Sequence, residues 1–100
     1  MRLTTQTVNV IKAIMNRPAR GVSGVEISKD TKLASGSLYP ILMRLEKAGW
    51  LSSEWEAGDP AELGRPRRRF YRLTALGQRE VNAFREALTP NFGGAAWVLS

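Results

Sequence analysis

The chain has 100 residues, 43% hydrophobic and 24% charged, which is enough for one small core and excludes a second independent one. Fifteen Lys and Arg against nine Asp and Glu give a formal charge of +6, which favours a polyanionic partner, either nucleic acid or an acidic membrane surface. Cysteine and histidine are absent, which excludes disulfides, thiolate catalysis and the usual zinc sites; with no Asp-rich calcium loop either, no metal and no cofactor is expected.

In chain order, Val8, Ile11 and Met15, widened by Val10 and Ile14, have helical spacing from Thr4 to Arg17. Thr4 or Thr5 can cap this helix, and Pro18 ends it. Ala19 to Val22 reads as a loop. Ser23-Gly24-Val25-Glu26 then has the capping-box pattern and opens a short helix that breaks at Asp30-Thr31-Lys32. The next start falls at Ser35-Gly36-Ser37, followed by Leu38, Ile41, Leu42 and Leu45, the cleanest helical stripe in the chain. Pro40 favours Ser37 as the cap, or a bent first turn, because its missing N–H costs nothing within the first turn. Gly49 ends this helix as a left-handed residue.

After Gly49 the period changes. Leu51 to Glu56 and Arg69 to Leu73 read as strands, joined by a long hairpin tip from Ala57 to Pro66 with two Gly and two Pro. Trp50 and Trp55 are expected in the core or at its edge. Thr74 caps a last helix with Val81, Phe84 and Leu88 on one face, stopped by Thr89-Pro90. No apolar run is long enough to span a membrane, and Met1-Arg2-Leu3-Thr4 leads into polar threonines rather than a signal-peptide core, so a soluble cytoplasmic chain is expected.

The predicted fold is mainly α with a β-hairpin: a winged helix-turn-helix plus a C-terminal helix. The winged-helix domain spans 1–74, its C-terminal dimerisation helix 75–89 and a tail 90–100. In this arrangement the third helix enters the major groove. With its leucines inward, the opposite face carries Ser35, Gly36, Ser37, Tyr39, Pro40, Arg44 and Lys47, the expected recognition surface. Small hydroxyls beside free helix N–H groups suit phosphate, and Gly36 permits close backbone approach. A plain solvated face is the competing reading, but an outward Tyr39 near Arg44 favours a partner.

Arginine supplies five of the eight residues from Arg65 to Arg72. Strand alternation sends Arg67, Arg69 and Tyr71 to one face and Arg68, Phe70 and Arg72 to the other. Arg65, Arg67, Arg68 and Arg69 are the expected wing contacts, since arginine grips phosphate bidentately and enters narrow minor grooves. One or two of these arginines are expected to pair instead with Glu54, Glu56, Asp59 or Glu62, leaving net positive potential. Glu54 and Glu56 could mimic an acid/base pair, but without a nucleophile or phosphate-binding loop the chain is not expected to be an enzyme.

The run Gly36-Ser37-Leu38-Tyr39-Pro40-Ile41-Leu42, then Arg44-Leu45-Glu46-Lys47-Ala48-Gly49-Trp50-Leu51, resembles the PadR family of bacterial transcriptional regulators. So do Gly64-Arg65-Pro66-Arg67-Arg68-Arg69-Phe70-Tyr71-Arg72-Leu73-Thr74, Gly77, and Gly24-Val25-Glu26-Ile27, over about residues 3 to 80. The resemblance implies a winged helix that binds a palindromic operator as a homodimer formed through its N- and C-terminal helices. Val8, Ile11, Val81, Phe84 and Leu88 would then lie at the dimer interface. Lys32 stands where the family usually has Gly, implying a strained or reshaped turn and a weaker further phosphate contact. Val25 stands where an aromatic is usual. Some relatives bind flat aromatic effectors between tryptophans near the dimer interface, though nothing assigns Trp97 that role.

The expected function is therefore a sequence-specific regulator of double-stranded DNA, a repressor that occludes polymerase. The alternative is a winged-helix protein-interaction or RNA-binding module without sequence-specific readout.

Overall fold

The computed structural model describes residues 3–17 and 21–92. Helix α1 spans Thr5–Met15, with Thr4 as its cap: the Thr4 hydroxyl accepts from the Thr7 N–H at 3.2 Å. Strand β1 (Val22–Ser23) leads directly into α2 (Gly24–Thr31). Here the capping box is complete: the Glu26 N–H donates to Ser23 Oγ at 3.2 Å, and the Ser23 N–H donates to Glu26 Oε1 at 3.1 Å. Lys32 closes α2 at φ 61°, ψ 21°, a left-handed residue held without glycine. The turn is pinned around it, because Ser28 Oγ donates to the Leu33 carbonyl at 2.6 Å while Leu33 packs on the core.

Helix α3 spans Ser35–Lys47, with its cap three residues before the preferred Ser37. Ala34 is the cap residue and contributes no side-chain bond, so Pro40 lies inside the helix. The carbonyl that Pro40 leaves without a donor is that of Gly36, on the exposed face, where water can serve it. At the other end, the Trp50 N–H donates to the Leu45 carbonyl at 2.9 Å and the Gly49 N–H to that of Glu46 at 3.0 Å. Gly49 sits at φ +83°, completing a Schellman closure.

Strands β2 (Leu51–Trp55) and β3 (Arg69–Leu73) form the wing hairpin. The sheet has three strands rather than two, in the order β1-β3-β2, with Val22 opposite Tyr71 and Trp55 opposite Arg69. A two-residue strand has no periodicity to read, and its partner lies some fifty positions away. The hairpin tip is also not all loop: Asp59 caps a single turn, α4 (Pro60–Leu63), which Gly64 ends in a left-handed conformation.

Thr74 caps α5, its Oγ1 accepting from the Gly77 N–H at 3.0 Å. Helix α5 runs Ala75–Phe92, past the expected stop at Thr89-Pro90. A proline this close to a helix end forfeits only one backbone bond.

Val10, Ile11 and Ile14 of α1, Ile27 of α2 and the α3 stripe Leu38, Ile41, Leu42 and Leu45 make the core, closed by Trp50, Leu51, Tyr71 and Val81. This places α3 with its leucines inward and its other face open. Ile11 and Val81 are 0% and 1% exposed within a single chain, so they have no surface to offer a second copy, contrary to their expected interface role. Both were needed for the monomer core. Val8 and Phe84 pack on the core while keeping partial exposure. Leu88 and Trp97 lie outside the described side chains. Among the described residues no helix is long and apolar enough to cross a membrane.

Candidate nucleic-acid interface

The open face of α3 presents Ser35, Gly36, Ser37, Pro40, Arg44 and Lys47, all exposed, and Tyr39 at 42% exposure. Ser37 and Leu38 both donate to the Ala34 carbonyl, which leaves the Ser35 and Gly36 amides without an intrahelical acceptor. Met43, 69% exposed, joins this face and was missed in the sequence reading. Its position four residues from both Tyr39 and Lys47 would have found it. The Tyr39 ring leans across the start of α2, where its hydroxyl sits against Gly24; a Cβ on Gly24 would lie 2.6 Å from it.

The acids of α2 are engaged. Arg17 donates to Glu26 Oε2 at 2.9 Å and to both Asp30 oxygens at 2.9 and 3.0 Å. The Ser23 N–H, its hydroxyl and Arg17 hold the Glu26 carboxyl below its ordinary range, and Arg17 does the same for Asp30. Lys29, Lys32, Arg44 and Lys47 stand exposed with no acid within ion-pair distance among the described residues.

The wing arginines divide into two groups. Arg65 makes a bidentate pair with Glu56 at 2.7 and 2.9 Å, and Arg72 pairs with Glu54 at 2.8 Å. Arg69 donates to Ser53 Oγ at 2.9 Å, lies 3.9 Å from Glu46 and covers the Trp55 ring at 5.0 Å. Among the described residues the guanidinium groups of Arg67 and Arg68 make no hydrogen bond or ion pair, although Glu26 and Glu56 lie near enough to feel the Arg68 charge. Trp55 is 61% exposed rather than in the core. It shares the inward face of β2 with buried Leu51 and half-buried Ser53, but the strand runs outward beyond the edge of the core. Val25 is likewise exposed. A groove of about 590 Å³ brings Val25, Tyr39 and Trp55 together with Arg67 and Arg68.

Glu56 is the most perturbed carboxyl described. The Arg65 hydrogen bonds, then the Arg68 N–H, pull it from its ordinary value of 4.5 down to about 2. A depressed carboxyl stabilises the fold above its unfolded value, and that contribution is lost as pH falls toward the folded value. Thermal unfolding of the parent and of Glu56→Gln, followed by circular dichroism, should therefore differ most above about pH 4.5 and converge as pH approaches about 2. A constant difference across that window would mean that the pair does not couple to folding.

Two close-packed helices with an open second helix and a basic wing define the class of winged-helix regulators. The chain belongs to the transcriptional regulator PadR-like family, whose model matches residues 19–83; it is a family of transcriptional regulators, not of enzymes. No curated protein sequence matches. Among solved structures, a PadR family transcription regulator from Clostridium difficile is 19% identical, with 97% of this chain and 100% of that chain covered at a TM-score of 0.71. A PadR family transcriptional regulator from Eggerthella lenta is 28% identical, covering 89% and 79% at 0.61. AbfR of Staphylococcus epidermidis is 24% identical at a TM-score of 0.72; 90% of this chain matches, and it spans only 56% of the AbfR chain.

Proposed function

We propose that the protein is a sequence-specific DNA-binding regulator, a cytoplasmic repressor that occupies a palindromic operator as a homodimer. The observation that carries this reading is the pairing of an open α3 face bearing Tyr39, Arg44 and Lys47 with a wing on which the Arg67 and Arg68 guanidinium groups make no ion pair among the described residues. In this reading α3 enters the major groove with Ser35, Gly36 and Ser37 against phosphate, while Pro40 and Met43 offer apolar contact to thymine methyl groups. Lys32 reaches a neighbouring phosphate from the turn. Residues 1–74 form the DNA-binding frame, and the exposed part of α5 beyond Val81 joins two copies.

Arg67→Ala and Arg68→Ala should each weaken binding to every duplex alike and flatten the dependence of log affinity on log salt by about one ion. Fluorescence anisotropy across a salt series, with light scattering for the dimer, is the measurement. Unchanged slopes in both variants would remove the wing from the interface. A shallow salt dependence in the parent would favour a protein-interaction module instead.

A further inference from the structure

Arg69 belongs by sequence to the same arginine cluster as Arg67 and Arg68, yet its surroundings differ from theirs. Ser53 Oγ donates to Glu46 Oε2 at 2.5 Å, the short distance expected of a hydroxyl on a charged carboxylate. The same oxygen accepts from Arg69 Nε at 2.9 Å, and the Arg69 guanidinium stands 3.9 Å from Glu46. The guanidinium also covers the Trp55 ring at 5.0 Å. Three elements meet here: Glu46 near the end of α3, Ser53 and Trp55 on β2, and Arg69 on β3. Because Ser53 has only one hydroxyl proton, donating it to Glu46 leaves its lone pairs facing Arg69, so the chain of bonds has a single direction.

We propose that Glu46, Ser53 and Arg69 form a polar strut that sets the angle of the wing against α3, with Arg69 a positioning residue rather than a phosphate contact. The strut deepens the DNA-binding reading and rests on it. Helix α3 is joined to β2 covalently only through the Gly49–Trp50 turn, whereas Arg67 and Arg68 lie at the far end of the hairpin. The base of the wing is fixed by buried Leu51 and Tyr71 and by the β1–β3 pairing, so the strut acts on the outer part of the hairpin, which runs beyond the core toward Arg67 and Arg68. Both elements must engage one duplex together, so fixing their relative geometry in the free protein lowers the ordering cost of binding. Like those of Arg65 and Arg72, the Arg69 guanidinium is already committed, and it alone ties the wing to α3 among these arginines in the described residues.

Charge alone and the strut predict opposite signs. Glu46→Ala removes a negative charge from the helix that faces DNA, which by electrostatics should tighten binding. Loss of the strut should instead weaken binding roughly three- to tenfold, the usual worth of a hydrogen bond of this kind. Arg69→Met should weaken it similarly while leaving the salt slope at the parent value, whereas removal of a phosphate contact would lower the slope by about one. Ser53→Ala should behave like Arg69→Met, and Ser53→Thr, which keeps the hydroxyl, should restore parent affinity.

The companion readout needs no DNA. In ¹H–¹⁵N spectra of the free protein, the Trp55 indole resonance, assigned by its loss in Trp55→Phe, should shift in Arg69→Met, Ser53→Ala and Glu46→Ala and return in Ser53→Thr. Tighter binding by Glu46→Ala, a slope lowered by one in Arg69→Met, or an indole resonance unmoved in all three variants would each overturn the strut. Should Glu46→Ala fail to fold, Ser53→Ala carries the same test by deleting a single hydroxyl. If the parent binds no duplex, the DNA-binding reading fails, and the indole resonances alone decide whether the strut exists.

Discussion

Gly77→Ala should destabilise the protein by about 3 kcal/mol or more, the upper end of what overpacking costs. A Cβ at this position would fall against the Trp50 carbonyl oxygen, well inside contact distance, with the Trp50 carbonyl carbon at 2.9 Å and Leu73 Cδ2 at 3.0 Å. The obstacle is backbone, and that backbone is held. Thr74 Oγ1 donates to the Gly49 carbonyl at 2.5 Å, and the Thr74 N–H donates to that same Trp50 oxygen at 2.9 Å. Relief would require pulling the first turn of α5 off the α3–β2 turn and exposing Val81. Thermal unfolding by circular dichroism should show the melting point falling by about 12 °C or more for a domain of this size. Gly36→Ala is the matched control, because its Cβ would meet nothing within 4 Å and alanine favours a helix. It should leave stability equal or higher while weakening DNA binding, if the Gly36 backbone approaches phosphate. A Gly77→Ala variant that melts with the parent would mean that α5 is not docked on the Gly49–Trp50 turn.

Arg44→Ala should cost roughly 1–3 kcal/mol at the cognate operator and less on random DNA, if the guanidinium reads a guanine edge. Arg44 lies nine residues into α3, roughly 13 Å along its axis, and it is exposed with no acid partner among the described residues. Tyr39 sits nearer the helix start with its hydroxyl over Gly24, a placement suited to phosphate. Tyr39→Phe should therefore lower affinity on all duplexes without changing sequence preference. The cognate site comes from selection out of random duplexes, and anisotropy on cognate and scrambled sequences gives the comparison. Parent-like binding by both variants would show that α3 is not the reading element and would leave the wing to carry the interface.

The features legible in the sequence are those whose causes act within one turn or along one face. The Ser23 capping box, the Leu38-Ile41-Leu42-Leu45 stripe, the Gly49 closure and the Thr74 cap each depend on residues no more than seven positions apart, and each forms as read. With the helix order they suffice for the winged-helix class and for the outward face of α3. Lys32 in a left-handed turn was also legible, as a departure from the glycine usual in the family.

Tertiary structure decided what depends on distant partners. Strand β1 exists because Val22 and Ser23 reach Tyr71 and Phe70 on the central strand. Ile11 and Val81 have the same amphipathic spacing an interface would use, and only packing shows that a domain this small consumes both in its own core. Trp55 alternates correctly but lies beyond the end of that core. Five arginines in eight positions look equivalent in a sequence, because charge carries no information about pairing. Strand register brings Glu54 to Arg72 and Ser53 to Arg69, the hairpin tip brings Arg65 to Glu56, and the path of α3 adds Glu46. What is left without an ion pair among the described residues is Arg67, exposed, and Arg68, half-buried. That division follows from geometry between residues as far apart in sequence as Glu46 and Arg69, which no local pattern encodes.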